Sequence, residues 1–237
     1  MLIRFFVLIL MGVLAGLPAK AQEVLVYEDL KGDTLKSEYG MNRKHYRHPF
    51  IGFGFFAGDA GGPKGKIKST NSWAFEYGYR YKRKFNHYLS AGAEWSFSRL
   101  QYSPSAWELA SLMGDMPLNS EKLVMVQTGL GLYQRFNWQK RRGDFIGRFI
   151  DIGVYGNWTF ASRYVYAFEQ PTGEKVKVKK SGLDYVQPFD YGLLARIGFG
   201  NFVLKSSYRF SDHFKSESGL EEFPRFYFGF EMGLHPF

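Results

Sequence analysis

Hydrophobic and polar residues alternate along much of this chain with a period of two, the repeat of an extended strand whose successive side chains point to opposite faces. The stretch from Ser72 to Lys84 shows it most clearly. Trp73, Phe75, Tyr77, Tyr79 and Tyr81 fall on one face, and Ala74, Glu76, Gly78, Arg80 and Lys82 on the other. The first face is bulky and aromatic; the second is small or charged. The same alternation predicts strands at about 50–57, 72–83, 88–98, 123–136, 146–160, 185–199, 202–211 and 225–234, with bounds good to roughly 2–4 residues. Long connections alternate with short ones, Gly200-Asn201 being the tightest. An even number of strands with that asymmetry predicts an all-β, eight-stranded antiparallel up-and-down transmembrane β-barrel, its short turns periplasmic and its long loops outside.

Alternation does not say which face points inward. A soluble lipocalin-like barrel would put the bulky face inside, but an eight-stranded barrel is only just wide enough for its interior side chains. Several Trp, Phe, Tyr and Leu from every strand would overfill it. The opposite face suits a narrow bore, with Gly78, Gly92, Gly129, Gly131, Gly153, Gly192, Gly229 and Gly233 among charged groups. Arg80, Arg135, Arg196, Lys205 and Arg209 are placed to pair there with Glu76, Glu94, Asp151, Asp190 and Glu231. Unpaired buried charges are too costly to retain, so a connected interior network is expected. The network reads first as a packed core and second as a gated ion path. The outward set includes Leu89, Ala91, Ala93, Trp95 and Phe97, Ile150, Ile152, Val154 and Trp158, and Phe226, Phe228, Phe230, Met232 and Leu234. These suit hydrocarbon, with aromatics toward the strand ends as interfacial girdles.

Composition changes this picture mainly through the N-terminus. Of 237 residues 19% are aromatic, and cysteine is absent, which removes disulfides and thiolate chemistry. Arg4 precedes an apolar run from Phe5 to Leu17, and Ala19-Lys20-Ala21 fits a small-x-small cleavage site. The run is shorter than the roughly 20 residues that span a bilayer. Residues 1–21 therefore read as a signal peptide, 22–48 as a periplasmic N-terminal segment and 49–237 as the outer-membrane barrel. Loss of Arg4 and Lys20 lowers the net charge from +9 to +7, which still favours anionic surfaces. Export argues against nucleic acid as a partner, and nothing in the sequence calls for a cofactor. His45 and His48 have metal-type spacing but lack a third ligand nearby, so they read as solvated residues of the arm.

The final hairpin carries a more specific likeness. Tyr208-Arg209-Phe210-Ser211-Asp212-His213-Phe214-Lys215, then Phe223-Pro224-Arg225 and Gly229 to Leu234, resembles the end of the PorT-like small outer-membrane β-barrel proteins. The general pattern extends from about Pro49 to Phe237, and the terminal Phe237 resembles the signal read by the barrel-assembly machinery. What the resemblance implies is an outer-membrane location, an eight-stranded barrel and no catalytic residues. That family includes a protein required for secretion of surface proteins.

Two loops add detail. Ser105-Ala106-Trp107-Glu108 is a capping-box pattern that predicts a short helix to Met113, read first as a loop folded over the barrel mouth and second as a docking element. Two alternating runs between Tyr164 and Lys180 flank Gln170-Pro171-Thr172-Gly173 and predict a hairpin extending past the membrane. Lys175, Lys177 and Lys179 share one of its faces, suiting lipid phosphates, an acidic partner or a protected edge. Catalysis is the main rival. His213, Ser216, Glu221 and Glu222 offer the residue types of a lipid A-modifying hydrolase, but not the spacing of the known deacylases. The expected function is therefore that of a non-enzymatic structural or interaction component of the envelope, accessory to secretion or surface assembly. Its expected partners are outer-membrane lipid and an envelope protein met through the outer loops or the arm. A hydrolase and a narrow channel are the alternatives.

Overall fold

The computed structural model describes residues 37–58, 65–105, 118–139, 144–170 and 173–234. The expected signal peptide, the alternating runs expected in the arm before residue 37, the short helix expected at 106–113 and the terminal Phe237 lie outside the described residues.

Nine strands form the sheet: β1 (His45–Ala57), β2 (Trp73–Lys84), β3 (Leu89–Tyr102), β4 (Leu118–Asn137), β5 (Arg148–Glu169), β6 (Lys175–Ser181), β7 (Phe189–Phe199), β8 (Phe202–Arg209) and β9 (Phe226–Gly233). All pairings between these strands are antiparallel. Eight of the strands close a ring in which β9 returns to β1, from Phe50↔Gly233 to Ala57↔Phe226. The eight-stranded up-and-down barrel is thus observed. β6 is the additional strand. It pairs with the far half of β5, from Arg163↔Ser181 to Glu169↔Lys175, while the near half of β5 pairs with β7. β4, β5 and β6 therefore run past the ring as a three-stranded extension, which is the hairpin expected between Tyr164 and Lys180.

A bulge makes the extension continuous. The β4–β5 register slips between Val126 and Gln127, whose partners are Ala161 and Thr159, leaving Phe160 as the extra residue. Without that residue Tyr164 and Tyr166 would turn outward; with it they join the buried face. Extra length also appears at β1. This strand opens at His45, and His48, read from sequence as solvated, is only 4% exposed and stacks on Tyr46. The alternation of β1 simply begins earlier than its Gly and Phe residues suggest.

Side-chain direction follows parity around the ring. The bulky face points outward: Ile152 is 55% exposed and Phe230 58%, with Trp95, Leu132 and Phe199 also exposed. Such a broad apolar surface exceeds what a soluble monomer leaves in water. Among the described residues no helix is long and apolar enough to cross a membrane.

The inward face is more aromatic than the sequence suggested. Phe50, Tyr133, Phe149 and Tyr155 turn into the bore, and each lies against a glycine of a neighbouring strand. A Cβ built on Gly78 would enter the Phe50 ring, on Gly92 the Tyr133 ring, on Gly192 the Tyr155 ring and on Gly198 the Phe149 ring. Glycine and ring share one volume across two strands. Gly78→Leu should therefore destabilise the barrel by about 1–3 kcal/mol through overpacking, seen as a lower unfolding midpoint in a heat-modifiable mobility assay.

Candidate functional site

The bore is filled in layers. At the end carrying the short turns, Tyr46, Ile146, Phe149 and Val203 form an apolar cluster with Met41 against it. The segment before β1 is fastened across this end. The Asn42 backbone N–H donates to Asp144 Oδ1 at 2.6 Å, and Lys84 Nζ donates to the Asn42 carbonyl at 3.0 Å. At the end carrying the long loops a larger cluster closes the barrel, including Tyr102, Leu123, Met125, Tyr164, Phe214 and Phe223.

Charge occupies the middle. Arg80 donates from Nε to Glu94 Oε2 at 3.0 Å and from Nη2 to Glu231 Oε2 at 2.8 Å. Arg196 reaches the same two carboxylates, pairing with Glu94 and lying 3.3 Å from Glu231. Lys205 sits 2.5 Å from Glu76 and 3.4 Å from Glu231. Three cations and three carboxylates thus make one neutral network. Arg80 and Arg196 are each 1% exposed, so charge balance and hydrogen bonding are what make their burial tolerable.

The other four charges expected inside are also buried, but with different partners. Arg135 and its cross-strand neighbour Asp151 form a bidentate pair at 2.7 and 2.8 Å. The Tyr133 ring lies 5.5–6.0 Å from the guanidinium carbons of Arg80, Arg135 and Arg196, linking that pair to the network by cation–π contacts. Among the described residues Asp190 forms no ion pair. It accepts from Gln127 Nε2 at 2.5 Å and Asn157 Nδ2 at 2.8 Å. Arg209 pairs not with a strand acid but with Glu222 of the β8–β9 loop, at 3.2 Å. Neither the Asp190 clasp nor the role of Glu222 follows from parity, because amides and loop residues carry no such signal.

A cavity of about 80 Å³ lies between the network and the loop-end closure, lined by Glu76, Ser96, Tyr155, Asp190, Arg209 and His213 among others. Since a water needs about 10–15 Å³ of such volume, a few fit.

The groups weighed for catalysis do not converge. His213 is buried and its Nε2 lies 2.9 Å from the Tyr102 hydroxyl. Glu222 accepts the backbone N–H groups of His213 and Phe214 at 2.7 and 3.0 Å, besides holding Arg209. Glu221 accepts the Gly65 N–H at 2.9 Å, tying two loops together. Ser216 lies in an exposed 3-10 turn at 216–218. Each of His213, Glu221 and Glu222 is thus engaged in fastening the loop. Nor does any group of three or more His, Asp or Glu among the described residues have metal-ligand placement. His45 instead pairs through Nδ1 with the Tyr81 hydroxyl at 2.6 Å.

Neither a family model nor a curated protein sequence matches the chain. Among solved structures it is similar to Ail, the attachment invasion locus protein of Yersinia pestis, determined in complex with the heparin analogue sucrose octasulfate. The two are 13% identical, and the match covers 79% of this chain and 95% of that one at a TM-score of 0.33. A likeness at that level carries no argument about function, and the architecture rests on the strand pairing itself.

Two outcomes follow from the layered bore. Glu231→Gln removes the carboxylate shared by Arg80, Arg196 and Lys205 and should cost about 3–5 kcal/mol, whereas Arg83→Gln on the exposed face should stay within about 0.5 kcal/mol. Urea midpoints of the barrel refolded into lipid vesicles give both values.

The second concerns His213. Its burial, reinforced by Arg209 and Arg225, holds the imidazole well below its ordinary pKa. A histidine kept neutral when folded loses stability as pH falls below the unfolded value of about 6.5, where the unfolded segment takes up the proton first. Loop 211–225 should therefore be full strength above that pH and open more readily below it. Proteolysis of this loop against pH reads the effect, and His213→Gln should flatten the profile.

Proposed function

We propose that this chain is a non-enzymatic outer-membrane β-barrel, exported by a cleaved signal peptide, that serves as a structural or interaction component of the envelope. The observation that carries the reading is the combination of an apolar exterior with a bore stoppered at both ends. The outward face, with Phe53, Ile152 and Phe230 exposed, suits lipid, while among the described residues two apolar clusters and the neutral charge layer fill the bore. The longest loops and the β4–β5–β6 extension stand at one end, which this reading places outside the cell. Such surfaces suit contact with other envelope molecules.

The engagement of His213, Glu221 and Glu222 in loop anchoring favours this reading over a lipid A-modifying hydrolase. The PorT-like resemblance of the last hairpin narrows the proposal to a role accessory to secretion or surface assembly, with an envelope protein as partner.

Reconstitution tests the reading directly. The protein refolded into phosphatidylcholine vesicles should insert, shown by heat-modifiable mobility, and in planar bilayers it should give no steady conductance. Regular conductance steps would replace it with a narrow channel. Failure to insert would remove the membrane assignment.

A further inference from the structure

The interior cations of this protein are matched, but a set on the outer face of the extension is not. Arg99, Lys122, Arg163, Lys177 and Lys179 line an open groove of about 810 Å³ on the outward side of β3 to β6. All five are exposed. Among the described residues no carboxylate forms an ion pair with any of them, and Asp184 is the one acid in the lining.

Strand register organises the groove into rows. Arg99, Val126 and Ala161 lie side by side in the first; Gln101, Val124, Arg163 and Ser181 in the second; Lys122, Val165 and Lys179 in the third. Arg99, Arg163, Lys122 and Lys179 thus border an aliphatic strip made of Val126, Val124 and Val165, while Lys177 lies opposite Ala167 in the next row. The rows continue the apolar band below. Arg99 follows Phe97 on the same face of β3 by about 7 Å at the usual rise per residue, and its guanidinium carbon lies 5.1 Å from the Trp73 ring centre. The opposite face of the extension is already covered, since Leu123, Tyr164 and Tyr166 belong to the loop-end cluster.

We propose that this groove binds the phosphate groups of a phosphorylated outer-leaflet lipid, whose acyl chains lie along the apolar band beneath. The inference rests on the outer-membrane reading above. An amphiphile fits both halves of the surface: the strip of valines meets its apolar part, and the rows of cations meet its phosphates at head-group level. An acidic protein would match the charge but not the continuity with the band. Basic residues just beyond a membrane boundary are the usual means of holding anionic lipid heads.

The test uses the full chain in phosphatidylcholine nanodiscs doped with lipid A carrying both phosphates, or with the same lipid A lacking them. After detergent extraction, native mass spectrometry reads which lipid stays bound. The phosphorylated form should be retained selectively and lost with rising salt. Lys177→Gln/Lys179→Gln should weaken retention roughly 25-fold, and Arg99→Gln/Lys122→Gln should act in the same direction if the folded, heat-modifiable form persists. Arg83→Gln, exposed at the short-turn end of β2 and absent from the groove lining, should leave retention unchanged. Equal retention of the two lipids, or insensitivity to both double variants, overturns the proposal. So does displacement of lipid A by equimolar inorganic phosphate, or a preference for polyglutamate. A barrel that fails to enter the nanodisc overturns the membrane reading itself, and this inference with it.

Discussion

Closure of the sheet is the constraint on which the rest of the structure depends. Once β9 returns to β1, the bore has the width of an eight-stranded ring, and each inward side chain must fit against those of its neighbours. That width sends the large apolar residues outward and leaves the inside to glycines, charged groups and a few rings. It also explains why rings such as Phe50 and Tyr133 face glycines: the space one strand gives up is the space its neighbour fills. The same closure pairs the strands around the ring, so among the described residues the edge problem of an open sheet is confined to the extension, where the exposed lysines of β6 protect one edge.

Ring closure then dictates the electrostatics. Charges confined between two apolar clusters are poorly solvated, and each must be answered by an opposite charge or by hydrogen bonds. The network around Glu231 answers three cations with three carboxylates, and Arg135 has Asp151. Beyond the ring this requirement lapses, because water can solvate what the chain does not pair. The cations on the outer face of the extension are of that second kind. Inside, charge is spent on holding strands in register; outside, it is left available to a ligand. Loop 211–225 belongs to the first regime although it is not a strand, since Glu222 follows Arg209 into the barrel mouth and buries His213 with it.

By itself the sequence determined the eight ring strands, their alternation and, up to the bulge at Phe160, the face that most of their residues take. Period-two patterning is a property of neighbours along the chain, so it survives without knowledge of the fold. The hairpin at 164–180 was legible for the same reason. Only the tertiary structure decided which charges meet. Arg80 and Glu231 are separated by 151 positions, and their pairing depends on the stagger accumulated around the ring rather than on local spacing. The same is true of Arg209 choosing Glu222 over a strand acid, of Asp190 being held by two amides, and of His213 meeting Tyr102 rather than Ser216. The bulge at Phe160 was equally hidden, because a single extra residue changes parity without altering composition. It reverses the faces of the last part of β5, and so sets Arg163 beside Val124 on the outer surface while Tyr164 closes the bore. Parity assigns each residue a side; register, which is fixed only when the ring closes, assigns it a neighbour.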